Sequence, residues 1–141
     1  MPTATSPLPP VTALSKLPYL TATIQEATRI AHGVAGRLVR IAPDTDLVCH
    51  GHVIPKGSTF GMSHYIQHTD GNLFPNPEEF QPERFLGDGA AERLRYLVPF
   101  GKGPRMCLGM NLAWSEMYLC LAALVGGVKM ELFETGVRDV T

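Results

Sequence analysis

The sequence is short of the features that would mark several broad classes. Charged residues make up only 18% of its 141 positions and nearly cancel, 12 Lys and Arg against 13 Asp and Glu, for a net charge of -1 with histidine neutral. There is no polyelectrolyte tail and no basic surface of the kind that attracts nucleic acid. No apolar run reaches the ~20 residues that span a bilayer. The longest, residues 112–125, is broken by Ser115 and Glu116 and stops at Gly126 and Gly127. No charge precedes Lys16, and the head "MPTATSPLPPVTALS" lacks the basic start and continuous apolar core of a secretory signal. Its Pro, Ser and Thr content predicts a flexible lead over residues 1–14. The three cysteines, Cys49, Cys107 and Cys120, form no CxxC pair and no zinc-type spacing with histidine, which points to a reducing, intracellular setting. There is no internal repeat.

What is present is a 45% hydrophobic chain whose length fits one domain. Leu17, Leu20, Ile24, Ala27 and Ala31 recur at steps of three and four and predict a helix over 15–32, with Ser15 as its cap and Gly33 as its left-handed terminator. Glu26 and Arg29, at i and i+3, leave that helix on one side. β-Branched runs then predict a small antiparallel sheet within 37–62, with strands near 38–41, 47–53 and 58–62. Pro55-Lys56-Gly57 links the last two as a hairpin. "SHYIQHT" predicts one or two helical turns. Residues 70–99 carry four prolines and no sustained period, and their aromatics, Phe74, Phe80, Phe85 and Tyr96, predict an ordered, packed coil. A loop over 100–109, a final helix over 109–125 and an edge strand over 127–134 complete the expectation of a mainly α fold with a small antiparallel β-sheet.

The loop "FGKGPRMCLG" sets a lone thiol among three glycines and two cations. Most free cysteines are small buried hydrophobes, and Cys49 and Cys120 are read that way. Cys107 sits differently, at the start of a helix with Lys102 and Arg105 nearby in sequence, where a thiolate is favoured. Gly101, Gly103 and Gly109 let backbone amides approach a sulfur or a flat ligand closely. A nucleophilic role needs a general base, and the five histidines all lie upstream, within residues 32–68. Zinc needs more ligands than are at hand. Haem iron needs only one protein thiolate. Two histidine pairs, His50 with His52 and His64 with His68, have spacings that could hold a metal, but no third ligand completes either and they read as surface residues.

The pattern Phe100-x-x-Gly103-x-Arg105-x-Cys107-x-Gly109 resembles the cysteine-loop signature of the cytochrome P-450 haem-thiolate monooxygenases. Two further family motifs stand in the same order, Glu26-x-x-Arg29 and "PERF" at 82–85, and "LPYL", "VIPKG", "FPNPEEF" and "NLAWSE" resemble fungal members. The resemblance implies haem b as cofactor, with Cys107 as axial ligand of its iron, Phe100 shielding the sulfur and Arg105 reaching a propionate. Arg40 stands where many members carry a second propionate-binding arginine, although Val39 replaces their usual proline. Glu26, Arg29 and Arg84 are implied to form the family's internal charge triad. An NADPH-dependent reductase would face Arg93, Arg95 and Lys102, the substrate would be a small organic molecule, and a full-length relative would sit at the endoplasmic reticulum membrane.

The resemblance covers roughly the C-terminal third of such proteins, so the distal haem wall and most of the substrate pocket are expected to be missing and Met1 is expected to be an internal methionine. Two functions follow as expectations. One is the haem-binding segment of a monooxygenase that inserts one oxygen atom from dioxygen into an organic substrate. The other is a truncated, non-enzymatic fragment or pseudogene product that is inactive alone.

Overall fold

Glu26 and Arg29, two charged residues, lie on the deeply buried face of the longest helix in the first half of the chain, where sequence reading expects leucine and alanine. The structure, a computed structural model, describes residues 7–131, 133, 134 and 136. It divides into two units, one of residues 1–21 with 108–141 and the other of residues 22–107.

In the first unit, residues 11–14 of the expected flexible lead form a helical turn, α1 (Val11–Leu14), and Leu14 is buried. Ser15 closes this turn as its C-terminal residue and does not cap the next helix. That helix, α2 (Pro18–Ile30), opens on a proline, which the first turn tolerates because the N–H that proline lacks would have no helical partner there. Thr21 Oγ1 shares a 2.9 Å hydrogen bond with the hydroxyl of Tyr118, which is buried on α5 (Met110–Gly127). Trp114, one turn earlier on α5, lies with its ring 6.3 Å from that of Tyr118. α5 runs two residues past the expected end, and the backbone N–H of Val128 still bonds to Leu124. Residues 128–131, 133 and 134 carry no strand, so the expected edge strand over 127–134 is absent among the described residues; Leu132 lies outside them. An exposed Lys129–Glu131 ion pair at 2.8 Å spans this stretch.

In the second unit α2 continues from Ala22, and its buried positions are Ala22, Ile24, Glu26 and Arg29. Ala27 and Ala31, placed on the apolar stripe by periodicity, are exposed, and so is Leu17 at the other end of the helix. Spacing alone cannot foresee this, because burying a carboxylate becomes favourable only when distant residues supply its partners. The left-handed residue beyond the helix is His32, at φ 44°, and not Gly33.

Among the described residues four strands pair in two separate antiparallel ribbons, β1 (Leu38–Ile41) with β4 (Thr59–Met62), and β2 (Leu47–Cys49) with β3 (His52–Ile54). The tight hairpin is β2–β3, turned by His50 and Gly51 at φ 48° and 80°, the two positive angles of a two-residue loop that follows strand twist. Pro55-Lys56-Gly57 does turn, with Ser58 N–H bonding to Pro55, but it joins strands of different ribbons. α3 (His64–His68) follows.

The expected coil is partly helical: Pro82–Phe85 forms a 3-10 turn, and α4 (Ala90–Tyr96) starts from Gly89 at φ 79°. Phe74 and Phe85 pack with Ala22 as the core, lined by Leu73, Leu86 and Leu97, whereas Phe80 and Tyr96 are exposed. No helix among the described residues is long and apolar enough to cross a membrane.

Candidate functional site

α2 and the 3-10 turn of "PERF" bring Glu26, Arg29 and Arg84 into one buried cluster. Arg29 donates from Nε to Glu26 Oε2 and from Nη2 to Oε1, both at 2.9 Å, the paired geometry that makes arginine the strongest partner of a carboxylate. Arg84 Nε adds a 2.9 Å bond to Oε1 and the Gln81 N–H a 3.0 Å bond, so Oε1 alone accepts three. One carboxylate faces two guanidinium groups, and backbone carbonyls take up the remaining donors. Arg29 reaches His68 and Pro77 at 2.8 and 2.7 Å, and Arg84 reaches Pro75 at 2.8 Å. Burial pushes the Glu26 carboxyl up, but the Arg29 hydrogen bonds, the Gln81 amide and the two arginine charges outweigh it and hold the group below the usual carboxylate range.

The cysteine loop follows α4. Val98 O accepts the Gly101 N–H at 3.0 Å, and Phe100 O accepts the Cys107 N–H at 2.9 Å, closing the loop on itself. Gly101 and Gly103 take φ 72° and 80°, angles that strain any residue with a Cβ. Gly109, at φ -84°, needs no such freedom and serves as the N-cap of α5. That helix begins three residues after Cys107 and not beside it. Phe100 is half-buried, and Arg105 and Cys107 are exposed. Cys49 and Cys120 are exposed as well, against their expected burial.

Arg40 shares one face of its ribbon with its cross-strand partner Phe60, and both line a cleft of about 380 Å³ together with Arg95, Gly101 and Lys102. Three cationic side chains around a half-apolar cleft suit a ligand with carboxylates on an apolar body. Arg93 does not belong with them. Its Nη1 donates to Arg84 O at 3.0 Å, which ties α4 to the ion cluster.

A family model for cytochrome P450 matches residues 5–139. The chain belongs to the cytochrome P450 family. It is 56% identical over 140 residues to cytochrome P450 monooxygenase ucsK of Acremonium sp, a match that covers 94% of this chain and 27% of that protein. It is 44% identical to fusicoccadiene C-8 hydroxylase of Alternaria brassicicola, over 94% of this chain and 26% of the other. For tryptophan 6-hydroxylase fscE of Fusarium equiseti the figures are 45%, 86% and 24%. Among solved structures, cyanobacterial CYP120A1 with bound retinoic acid superposes with a TM-score of 0.72 at 37% identity, over 82% of this chain and 27% of the other. The mainly helical fold with small antiparallel ribbons is therefore part of the P450 fold, and the chain spans about a quarter of the length of the curated relatives it matches. Haem is the cofactor of this family.

The P450 motifs thus fall into two groups, the buried cluster and the exposed cysteine loop. Sequence reading missed what lies between them. His68, placed among surface residues, is buried, its backbone carbonyl accepting from Arg29 and its ring Nε2 from the Val98 N–H. Its only sequence signal is its place one turn after His64 on a short helix, which does not distinguish a buried ring from an exposed one.

Proposed function

We propose that this P450 chain is the haem-ligating portion of a monooxygenase that inserts one oxygen atom from dioxygen into an organic substrate, with electrons from an NADPH-dependent reductase. The observation that carries this is the exposed thiol of Cys107, presented by a loop that Gly101 and Gly103 shape and the Phe100–Cys107 hydrogen bond closes. A single exposed thiol, on a loop whose Gly101 and Lys102 line the cation-bearing cleft, fits haem b, which asks the protein for one thiolate donor and for partners to two carboxylates. Cys107 would hold the iron, Phe100 would pack beside the sulfur, and Arg40 and Arg105 would meet the propionates. When bound, haem supplies the iron centre at which dioxygen is activated, and thiolate ligation raises its electron density.

Arg95 and Lys102 are exposed and are assigned to the reductase-facing side, whereas Arg93 is engaged by the ion cluster. Two relatives are named as hydroxylases, which supports hydroxylation as the form of the reaction. An endoplasmic reticulum membrane is the proposed setting of the whole protein.

The second reading is a fragment inactive alone; the chain spans 24–28% of the length of three curated relatives, and the same experiment separates the two readings. Haemin added to the chain, reduced under carbon monoxide, is expected to give the red-shifted Soret band of a thiolate adduct, and Cys107→Ala to abolish it. A free-haemin spectrum, or a band unchanged in Cys107→Ala, would sink the assignment of Cys107. Adduct formation without turnover in the presence of reductase and NADPH would mark the inactive fragment.

A further inference from the structure

His68 is 1% exposed, and the role of Cys107 as a ligand does not account for that burial. Its backbone carbonyl accepts a 2.8 Å hydrogen bond from Arg29 Nη1 in the ion cluster. Its ring Nε2 accepts a 3.0 Å bond from the Val98 N–H, and Val98 O in turn accepts the N–H of Gly101 at 3.0 Å. A continuous line of hydrogen bonds therefore runs from Glu26 through Arg29, His68 and Val98 into the loop that carries Cys107. An amide N–H can only donate, so Nε2 bears no proton and the ring's single proton sits on Nδ1. That Nδ1 is buried without a hydrogen-bond partner among the described residues. Leaving a buried donor unsatisfied is costly, and an aliphatic side chain would fill the same space without that cost. What the imidazole adds is an acceptor for Val98.

We propose that His68 is a positioning residue for the cysteine loop: its neutral Nε2 holds the Val98 amide and so fixes where the loop departs from the buried ion cluster. The surroundings keep the ring neutral. The Phe74 ring stands perpendicular to it with centroids 6.1 Å apart, and the titratable groups that face it, His64, His32 and Arg29, are all basic. Burial first, and then these neighbours, push its pKa down to about 4, so the acceptor form prevails through the neutral range. The inference rests on these hydrogen bonds and stands or falls separately from iron ligation by Cys107.

The test compares the full chain with His68→Gln, which keeps an acceptor near the outer edge of the ring, and His68→Leu, which fills the space and accepts nothing. In the unmodified chain, nuclear magnetic resonance should detect scalar coupling across the hydrogen bond between Val98 N and His68 Nε2. In His68→Leu, amide exchange at Val98, Gly101 and Cys107 should quicken about tenfold, while amides of the β2–β3 hairpin change by less than about twofold. His68→Gln should restore the loop amides to within about threefold of the unmodified chain. The proposal is overturned by an absent coupling, by loop amides in His68→Leu that exchange as before, by hairpin and loop amides that quicken alike, or by a Gln variant that behaves as the Leu one does. Should His68→Leu fail to fold, the coupling and the Gln variant decide.

Discussion

At the scale of single residues, the molecule is organised by a carboxylate that could not have been buried alone. Glu26→Gln removes one negative charge and leaves two guanidinium groups facing each other in the interior, so a loss of about 3 to 5 kcal/mol is expected in urea unfolding. Acid should act in the same direction. Glu26 titrates lower in the folded chain than in the unfolded one, so its contribution is present above the ordinary carboxylate range and is lost as pH falls through its folded value. His68 is depressed from 6.5 to about 4, so the unfolded chain binds the extra proton first. Stability is level above pH 6.5 and falls between 6.5 and about 4, by a total on the order of 3 kcal/mol. Unfolding midpoints measured from pH 7 to 4 should show this slope, and His68→Gln should flatten it. Glu26, Arg29 and Arg84 were legible in the sequence because their motifs name them. His68 was not, because a histidine five residues into a short helix carries no mark of the amide waiting for it thirty positions later.

At the scale of elements, local chemistry marked the turns more reliably than the pairings. Pro55-Lys56-Gly57 turns as expected, but what it connects was settled by the register of β1 against β4, a pairing across about twenty residues that no dipeptide encodes. The β2–β3 hairpin went unseen because its turn reads His-Gly, a poor version of the Asn-Gly that favours two positive φ angles. His50→Asn should therefore raise stability by a few tenths of a kcal/mol, and Gly51→Ala should lower it by about 1 kcal/mol, both measurable by thermal melting. In the cysteine loop, a Cβ at Gly103 would meet nothing within 4 Å, yet φ there is +80°. Gly103→Ala should cost on the order of 1 to 3 kcal/mol through backbone strain alone. Haemin binding at equal folded fraction would show whether that strain reaches Cys107. α4 escaped sequence reading because Gly87 and Gly89 stand just before it and its seven residues are too few for a period to emerge.

At the scale of the whole molecule, apolar surface outweighs what the chain itself covers. Leu112, Leu124 and Val125 are exposed on α5, and Leu108 is fully exposed just before it. Light scattering is expected to show self-association of the chain alone, and joint substitution of Leu112, Leu124 and Val125 by lysine should reduce it without changing the ellipticity of the helices. The fold class was readable because motifs in order imply a family, whereas the charged buried face of α2 was not, since each charge needed partners far along the chain. The bond from Arg84 to Glu26 closes a span of 58 residues. Such a contact cannot help the chain find its fold, because the entropy of closing so long a span must be met before the bond forms. It acts afterwards, as a latch: weakening it with Arg84→Lys should leave the folding rate nearly unchanged and speed unfolding, so that the cluster governs how long the native state lasts more than how quickly it is reached.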